Sequence, residues 1–219
     1  MLNCELEGVS VVLLGNFNPS IFQPAWLGQQ GIIRPIEGEE ANVQIIAPQV
    51  TSFSVDWLTL QVTQDRFTAA TVDSAHFEVL RDLVVAIFTI LEHTPLKQMG
   101  INRDMHYRMP NEASWHAVGN TLAPKEKWES LLQNPGLATL SVRGVRSNST
   151  SRFVMVTVQP SQRIQPGVYI ATNEHFETDA DGKGSTEQLI NTLKTSWDSA
   201  QKYSKDLAET LLDGVIKED

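Results

Sequence analysis

The chain has 219 residues, of which 41% are hydrophobic and 20% are charged, so it can bury a large core and is not expected to be disordered. Acidic residues outnumber basic residues by 26 to 17, and the formal charge of -9 disfavours nonspecific binding to nucleic acid or to an anionic membrane. The single cysteine, Cys4, excludes an internal disulfide and a multi-cysteine metal site.

The first strand is predicted at residues 9–14, where the apolar run is continuous. Further strands are predicted at residues 43–46 and 53–63. The second of these leads into a strand-turn-strand-helix unit at residues 57–93, whose returning strand covers residues 66–72. One face of this hairpin is apolar and the other is mixed, which is typical of an antiparallel sheet covered on one side.

The helix of this unit has an apolar stripe that extends over most of its circumference. Asp73 or Ser74 is predicted to cap the helix, and Pro95 prevents its continuation. A helix this apolar is buried on more than one side, so we expect it to pack on the sheet and on a second layer or another subunit. The stripe consists of Phe77, Leu80, Val84, Ile87 and Leu91, and it is widened by Leu83, Phe88 and Ile90.

The second half of the chain repeats this order of elements. A strand is predicted at residues 99–109, and two short helices follow, the second beginning at Pro124 and ending before Asn134. Three strands are then predicted at residues 137–145, 152–158 and 168–172.

The final helix is predicted from Ser185 to Asp213, with Ser185 and Gln188 as a capping box. At about 1.5 Å per residue it would be roughly 40 Å long, which is more than one small sheet requires. The mainly apolar positions along one side of this helix recur at close to heptad spacing, with Ser204 as the polar exception. These positions are Leu189, Leu193, Trp197, Ala200, Ser204, Leu207 and Leu211.

These elements predict an α+β fold in which antiparallel strands are covered by two long helices. We expect a single domain over residues 1–219. Because residues 57–93 are echoed by residues 152–213, the alternative is two fused and related β-β-α halves, at about residues 1–109 and 110–219.

One row of side chains could support chemistry. Asp104, His106 and Arg108 share a face of the strand predicted at residues 99–109, and they are weak candidates for a catalytic site because a carboxylate can orient and tune an imidazole. The competing interpretation is a solvated strand face with an ordinary ion pair. A metal needs three or more ligands, and the sequence supplies no third ligand to this row, so we expect neither a metal nor a cofactor.

The loop at residues 179–184 resembles the start of a calcium-binding loop. Lys183 occupies a ligand position, however, and Ile190 stands where a bidentate glutamate is required. The sequence therefore favours an ordinary polar loop before the capped helix.

Three segments resemble parts of uncharacterised bacterial proteins of similar length. They are Leu14 to Pro19, Gln61 to Phe67 and Leu91 to Asn102. The resemblance covers most of the chain and implies a bacterial cytoplasmic protein. The segment Met1 to Glu7 is acidic and does not have the pattern of a signal peptide, which agrees with this expectation. No apolar run approaches the ~20 residues that a membrane span needs, so we expect no transmembrane segment. The resemblance implies no activity, cofactor or catalytic residue.

The abundance of apolar helical surface and the lack of a catalytic motif predict a non-enzymatic interaction or assembly protein. We expect it to self-associate as a homo-oligomer or to dock in a larger complex, with protein as its partner. The alternative is a small-ligand-binding module with an apolar cavity between the long helix and the sheet, and an enzyme that uses Asp104 and His106 is a third possibility. The interface candidates are Val84, Phe88, Leu91, Leu193, Trp197, Leu207 and Leu211.

Overall fold

The computed structural model describes residues 3–178 and 185–216, with side chains up to residue 214. The loop that we compared with a calcium-binding loop, residues 179–184, lies outside the described residues. Within them the fold is α+β with an antiparallel sheet, as predicted. The strands are β1 (Asn3–Gly15), β2 (Asn42–Ala47), β3 (Val50–Ser54), β4 (Thr59–Thr63), β5 (Arg66–Thr71), β6 (Leu96–Arg108), β7 (Leu140–Gly144), β8 (Phe153–Pro160) and β9 (Gly167–Glu177). The helices are α1 (Pro24–Gln29), α2 (Pro35–Glu39), α3 (Phe77–Ile90), α4 (Glu112–Leu122) and α5 (Ser185–Ile216).

All nine described strands belong to one sheet, in the order β2-β3-β4-β5-β1-β6-β9-β8-β7. The two longest strands, β1 and β6, pair antiparallel at its centre, with Val9 opposite Arg103. They are central because alternate residues of both strands are apolar and face the core, as do Val11 and Ile101. Strands β2 and β7 are the two edges of the sheet in the described part of the chain.

Helices α3 and α5 lie side by side on one face of the sheet. The apolar stripe of α3 is buried against the strands and against α5, so the second layer that the sequence predicted is another part of the same chain. Three aromatic rings meet beneath α3: the ring centroid of Phe67 lies 5.1 Å from that of Phe88 and 5.6 Å from that of Phe22. These contacts hold the first half of the sheet to the helices.

A second apolar cluster lies under the C-terminal half of α5. It contains Met105 and Tyr107 of β6, Val118 of α4, and Ala208 and Leu212 of α5. The long helix therefore crosses both clusters and joins the two ends of the sheet.

Polar residues separate the two apolar clusters, and we call them the polar seam: Glu7, Arg103, Thr172, Gln201 and Ser204. Arg103, only 9% exposed, donates hydrogen bonds to Glu7 Oε2 at 2.5 Å and to the backbone carbonyl of Gln201 at 3.0 Å. Thr172 donates from its hydroxyl to Ser204 Oγ at 2.7 Å. The seam thus fastens the middle of α5 to strands β1, β6 and β9.

Three sequence predictions need correction. The prediction of two long helices is not confirmed, because α5 has 32 residues but α3 has 14 and must end before the chain re-enters the sheet as β6. The strand predicted at residues 53–63 is two strands, β3 and β4, since Val55 and Leu58 exchange backbone hydrogen bonds across a tight turn. The helix predicted from Pro124 is one 3-10 turn, Lys125–Lys127. Its apolar residues Trp128 and Leu131 are 51% and 74% exposed, so no packing surface stabilises a longer helix.

None of the described helices is both long enough and apolar enough to cross a bilayer.

We predict that Arg103→Ala will lower the free energy of unfolding by about 2–3 kcal/mol, because it removes a charged donor from both a carboxylate and a helix carbonyl in a buried setting. Urea unfolding followed by circular dichroism measures this change. Arg108→Ala is the matched control, since the Arg108 side chain is 47% exposed and its ion pair with Glu5 is screened by solvent. Equal losses in the two variants would contradict the role that we assign to the seam.

Candidate functional site

The row predicted from the sequence lies on the face of β6 opposite to α3 and α5. Asp104, His106 and Arg108 alternate along the strand with the buried residues Met105 and Tyr107, as the sequence pattern indicated. Asp104 and His106 are half-buried and Arg108 is exposed.

Each member of the row is bonded to a different partner within the chain. Asp104 accepts a hydrogen bond from the Tyr169 hydroxyl at 2.8 Å, and His106 Nδ1 lies 2.8 Å from Ser161 Oγ. Arg108 pairs with Glu5 through two donors, Nε and Nη2, at 2.5 and 3.0 Å. Among the described residues Asp104 and His106 share no hydrogen bond, so the carboxylate does not orient the imidazole in the way that an acid-base pair requires.

The surroundings of His106 and Tyr169 favour the neutral form of each side chain, whereas the hydrogen bond from Arg108 to Glu5 raises the pKa of Arg108 and favours its charged form. Burial lowers the pKa of His106, and nearby Arg163 lowers it further, while Asp104 acts in the opposite direction. Burial and the hydrogen bond to Asp104 raise the pKa of Tyr169. His106 is therefore uncharged at neutral pH, which makes it a poor anion-binding group.

In residues 3–178 and 185–216, no three His, Cys, Asp or Glu side chains are grouped so that they could hold a metal ion.

An apolar groove lies on the helix-bearing side of the sheet, between the C-terminal half of α5 and strands β7 and β8. Its volume is about 520 Å³. We call it the α5–β7 groove. It forms because β7 is an edge strand with no neighbour on its outer side, so that the side chain of Val142 remains 55% exposed. The groove is lined by Leu122, Leu140, Val142, Val156, Val158, Tyr203, Asp206, Leu207, Thr210 and Leu211.

The groove contains two of the seven interface candidates, Leu207 and Leu211. Four others, Val84, Phe88, Leu193 and Trp197, are at most 1% exposed and belong to the chain's own core. The seventh, Leu91, is half-buried against that core. The heptad-like spacing of α5 therefore serves intramolecular packing over its first half and exposes apolar surface only in its second half.

Leu140, Val142 and Tyr203 are not among the site residues predicted from the sequence. The available signal was weak, since alternation in Leu140-Ser-Val-Arg-Gly144 predicts a strand with one apolar face but does not show that the strand is at an edge. Tyr203 lies beside the apolar positions of α5, and its ring contacts the guanidinium group of Arg146 at 4.5 Å.

A second cavity of about 710 Å³ lies between α4, residues 125–137 and the end of β8. Its wall contains Trp115 and His116 of α4 together with the loop residues Asn134, Pro135 and Gly136. Asp104, His106 and Arg108 line neither this cavity nor the α5–β7 groove.

No protein-family model matches this chain, and no curated protein sequence is significantly similar to it.

We predict that His106 titrates below the ordinary histidine pKa of 6.5, because burial and Arg163 both disfavour its charged form. The unfolded chain then binds a proton on His106 more readily than the folded protein does. The contribution of His106 to stability is therefore fully present above pH 6.5, and it is lost as the pH falls through the pKa of His106 in the folded protein. Histidine ring resonances followed by NMR between pH 4 and 8 measure the pKa directly. Arg163→Ala should raise it and Asp104→Asn should lower it. A His106 pKa at or above 6.5 in the unsubstituted protein would contradict this assignment.

Proposed function

We propose that this chain is a non-enzymatic interaction protein that binds another protein chain at the α5–β7 groove. In this proposal it self-associates or docks in a larger complex of the bacterial cytoplasm. The observation that supports it most is the combination of an apolar groove with the free edge of β7. An edge strand offers unpaired backbone donors and acceptors, and the adjacent groove offers apolar contacts to alternate side chains of an added strand.

The lining of the groove agrees with a protein partner. Leu207 and Leu211 lie on α5, and Val142 and Val156 come from the strands, so helix and sheet both contribute apolar surface. A partner that removes this apolar surface from water gains about 25 cal/mol of binding free energy per Å² buried.

A small apolar ligand is the second candidate. The groove lies between the long helix and the sheet, which is the position that the alternative hypothesis gives to a ligand cavity. Its polar groups, which belong to Tyr203, Asp206 and Thr210, are all on α5, and pockets of this type usually combine apolar walls with a few polar groups.

A catalytic role for Asp104, His106 and Arg108 receives less support. Their polar groups are engaged by Tyr169, Ser161 and Glu5, and they lie outside both concave regions described above.

We also infer that the chain consists of two related halves. In each half a hairpin is followed by a helix: β4, β5 and α3 in the first, and β8, β9 and α5 in the second. The topology favours a boundary before β6 instead of the predicted one at about residue 109, because β1 pairs with β5 in the same way that β6 pairs with β9. This shared topology supports the relation.

The proposal predicts that a photocrosslinking amino acid placed at Val142 will capture a protein partner in cells, and that the same amino acid at Val79 will not. Val79 is the matched control, because it is 43% exposed but lies on α3, away from the groove. Mass spectrometry identifies the captured chain, which is then purified and tested by calorimetry. Leu207→Glu should weaken its binding by about tenfold or more, since it places a charge against an apolar contact. Val79→Glu should leave the affinity unchanged.

Equal capture at both positions, or equal affinity of the purified partner for Leu207→Glu and the unsubstituted protein, would contradict the proposal. Capture of no protein, together with a small molecule retained in native mass spectrometry and lost in Leu207→Glu, would support the ligand hypothesis instead.

A further inference from the structure

The edge of the sheet at β2 has an acidic flank. Glu39 and Glu40 lie at the end of α2, just before Ala41 and the start of the strand, and Asp56 lies near Glu40 around the same shallow depression. All three are exposed, and within the described residues none has an ion-pair partner. The neighbouring Glu37 differs, because Arg34 binds it at 2.8 Å.

The edge at β7 has a basic flank near the C-terminal end of the strand, whereas the acidic flank of β2 lies near the N-terminal end of that strand. Arg143 is in the C-terminal part of the strand, and its guanidinium group stacks on the ring of Phe153 at 3.8 Å. Arg152 is 68% exposed, and its one carboxylate contact, Glu177, is 3.9 Å away. Arg146 is already bound by the buried carboxylate of Glu174. Arg143 and Arg152 are therefore the cations that remain open to an external partner.

Both edges also expose apolar side chains. Val43, Ile45 and Ile46 of β2 are 42–45% exposed, and Val142 of β7 is 55% exposed. Neither strand contains the proline or lysine that commonly blocks pairing at sheet edges. A bulge between Val43 and Ile45 interrupts β2, and the residues after it pair regularly with β3.

We propose that the occupant of the β7 edge is the β2 edge of a second copy of this chain, paired antiparallel to it. This inference rests on the proposed function and names its partner. An antiparallel junction places the start of β2, with Glu39, Glu40 and Asp56, beside the end of β7, with Arg143 and Arg152. The two strands have six and five residues, so they match in length. Alternate side chains of the added strand then face the α5–β7 groove.

Charge distinguishes this junction from the other possible ones. A parallel junction of β2 with β7 places the acidic flank beside the start of β7, where residues 137–139 are uncharged. Antiparallel pairing of β7 with β7, or of β2 with β2, places each charged end against an uncharged end. Only the antiparallel β2–β7 junction brings the two flanks together. Because it joins two different surfaces, it extends head to tail into a series of oligomers.

Sedimentation velocity of the full chain over a range of concentrations tests this. The unsubstituted protein should show a series of masses that grows with concentration and shrinks as salt screens the flanks. Ile45→Lys and Val142→Lys should each be monomeric alone, because each blocks one edge. Mixed together they should form a one-to-one heterodimer, since each variant retains the edge that the other has lost. Val79→Lys is the control and should assemble like the unsubstituted protein.

Exchange of charges provides an independent test at exposed residues. Glu40→Lys and Arg143→Glu should each weaken association by about tenfold, which corresponds to about 1.4 kcal/mol per junction. The double variant should recover most of this loss, because positions 40 and 143 have then exchanged their charges and every junction again joins opposite signs. Circular dichroism confirms that each variant is folded.

Each alternative has its own outcome. Homodimers formed by Ile45→Lys alone would show a β7–β7 interface, and homodimers formed by Val142→Lys alone would show a β2–β2 interface. A monomer at every concentration would overturn self-association through these edges. In that last case, capture of a different protein at Val142 would leave the proposed function in place, so the two failures are distinguishable.

Discussion

The position of α5 depends on Arg103. This residue is in the middle of the central strand β6, and its guanidinium group donates a hydrogen bond to the backbone carbonyl of Gln201 in α5 and pairs with Glu7 of β1. A buried arginine has a large desolvation cost, so the site is stable only because both partners are present. Apolar contacts are non-directional, so they specify the register of α5 less strictly than a hydrogen bond does. A charged donor with one acceptor on the helix fixes its register instead, and the position of Leu207 and Leu211 over the groove follows from that register.

The polar seam also has a cost. The side-chain amide of Gln201 is buried and forms no hydrogen bond within the described part of the chain, and Arg103 Nε is likewise unbonded there. Buried polar groups without partners reduce stability. A helix that served only to cover a core would be more stable with apolar residues at these positions. Loss of Arg103 alone is destabilising because it leaves Glu7 and the Gln201 carbonyl without their donor, whereas the seam as a whole favours one arrangement of the two apolar clusters more than it adds to total stability.

The sequence predicted the positions of most strands and of α3 because each has a local cause, although β1 and β9 extend well beyond the predicted residues 9–14 and 168–172. Alternation along β6 placed Asp104 and His106 on one face and Met105 on the other, and Pro95 ended α3 near the expected residue. The tight turn between β3 and β4 was missed because it has no glycine or proline. The helix predicted after Pro124 failed for the opposite reason: its local pattern was helical, but no tertiary surface covers it.

The site was harder to predict than the fold, because apolar spacing on a helix does not show what covers it. Leu193 and Leu207 occupy equivalent positions in the repeat of α5, yet the first is fully buried and the second lines an open groove. The difference arises from the sheet below them. Leu193 belongs to the cluster packed beneath α3 and α5, while Leu207 lies over the end of the sheet, where β7 has no further neighbour. Strand order is a long-range property that one sequence does not contain, and here strand order decides which leucine is available to a partner.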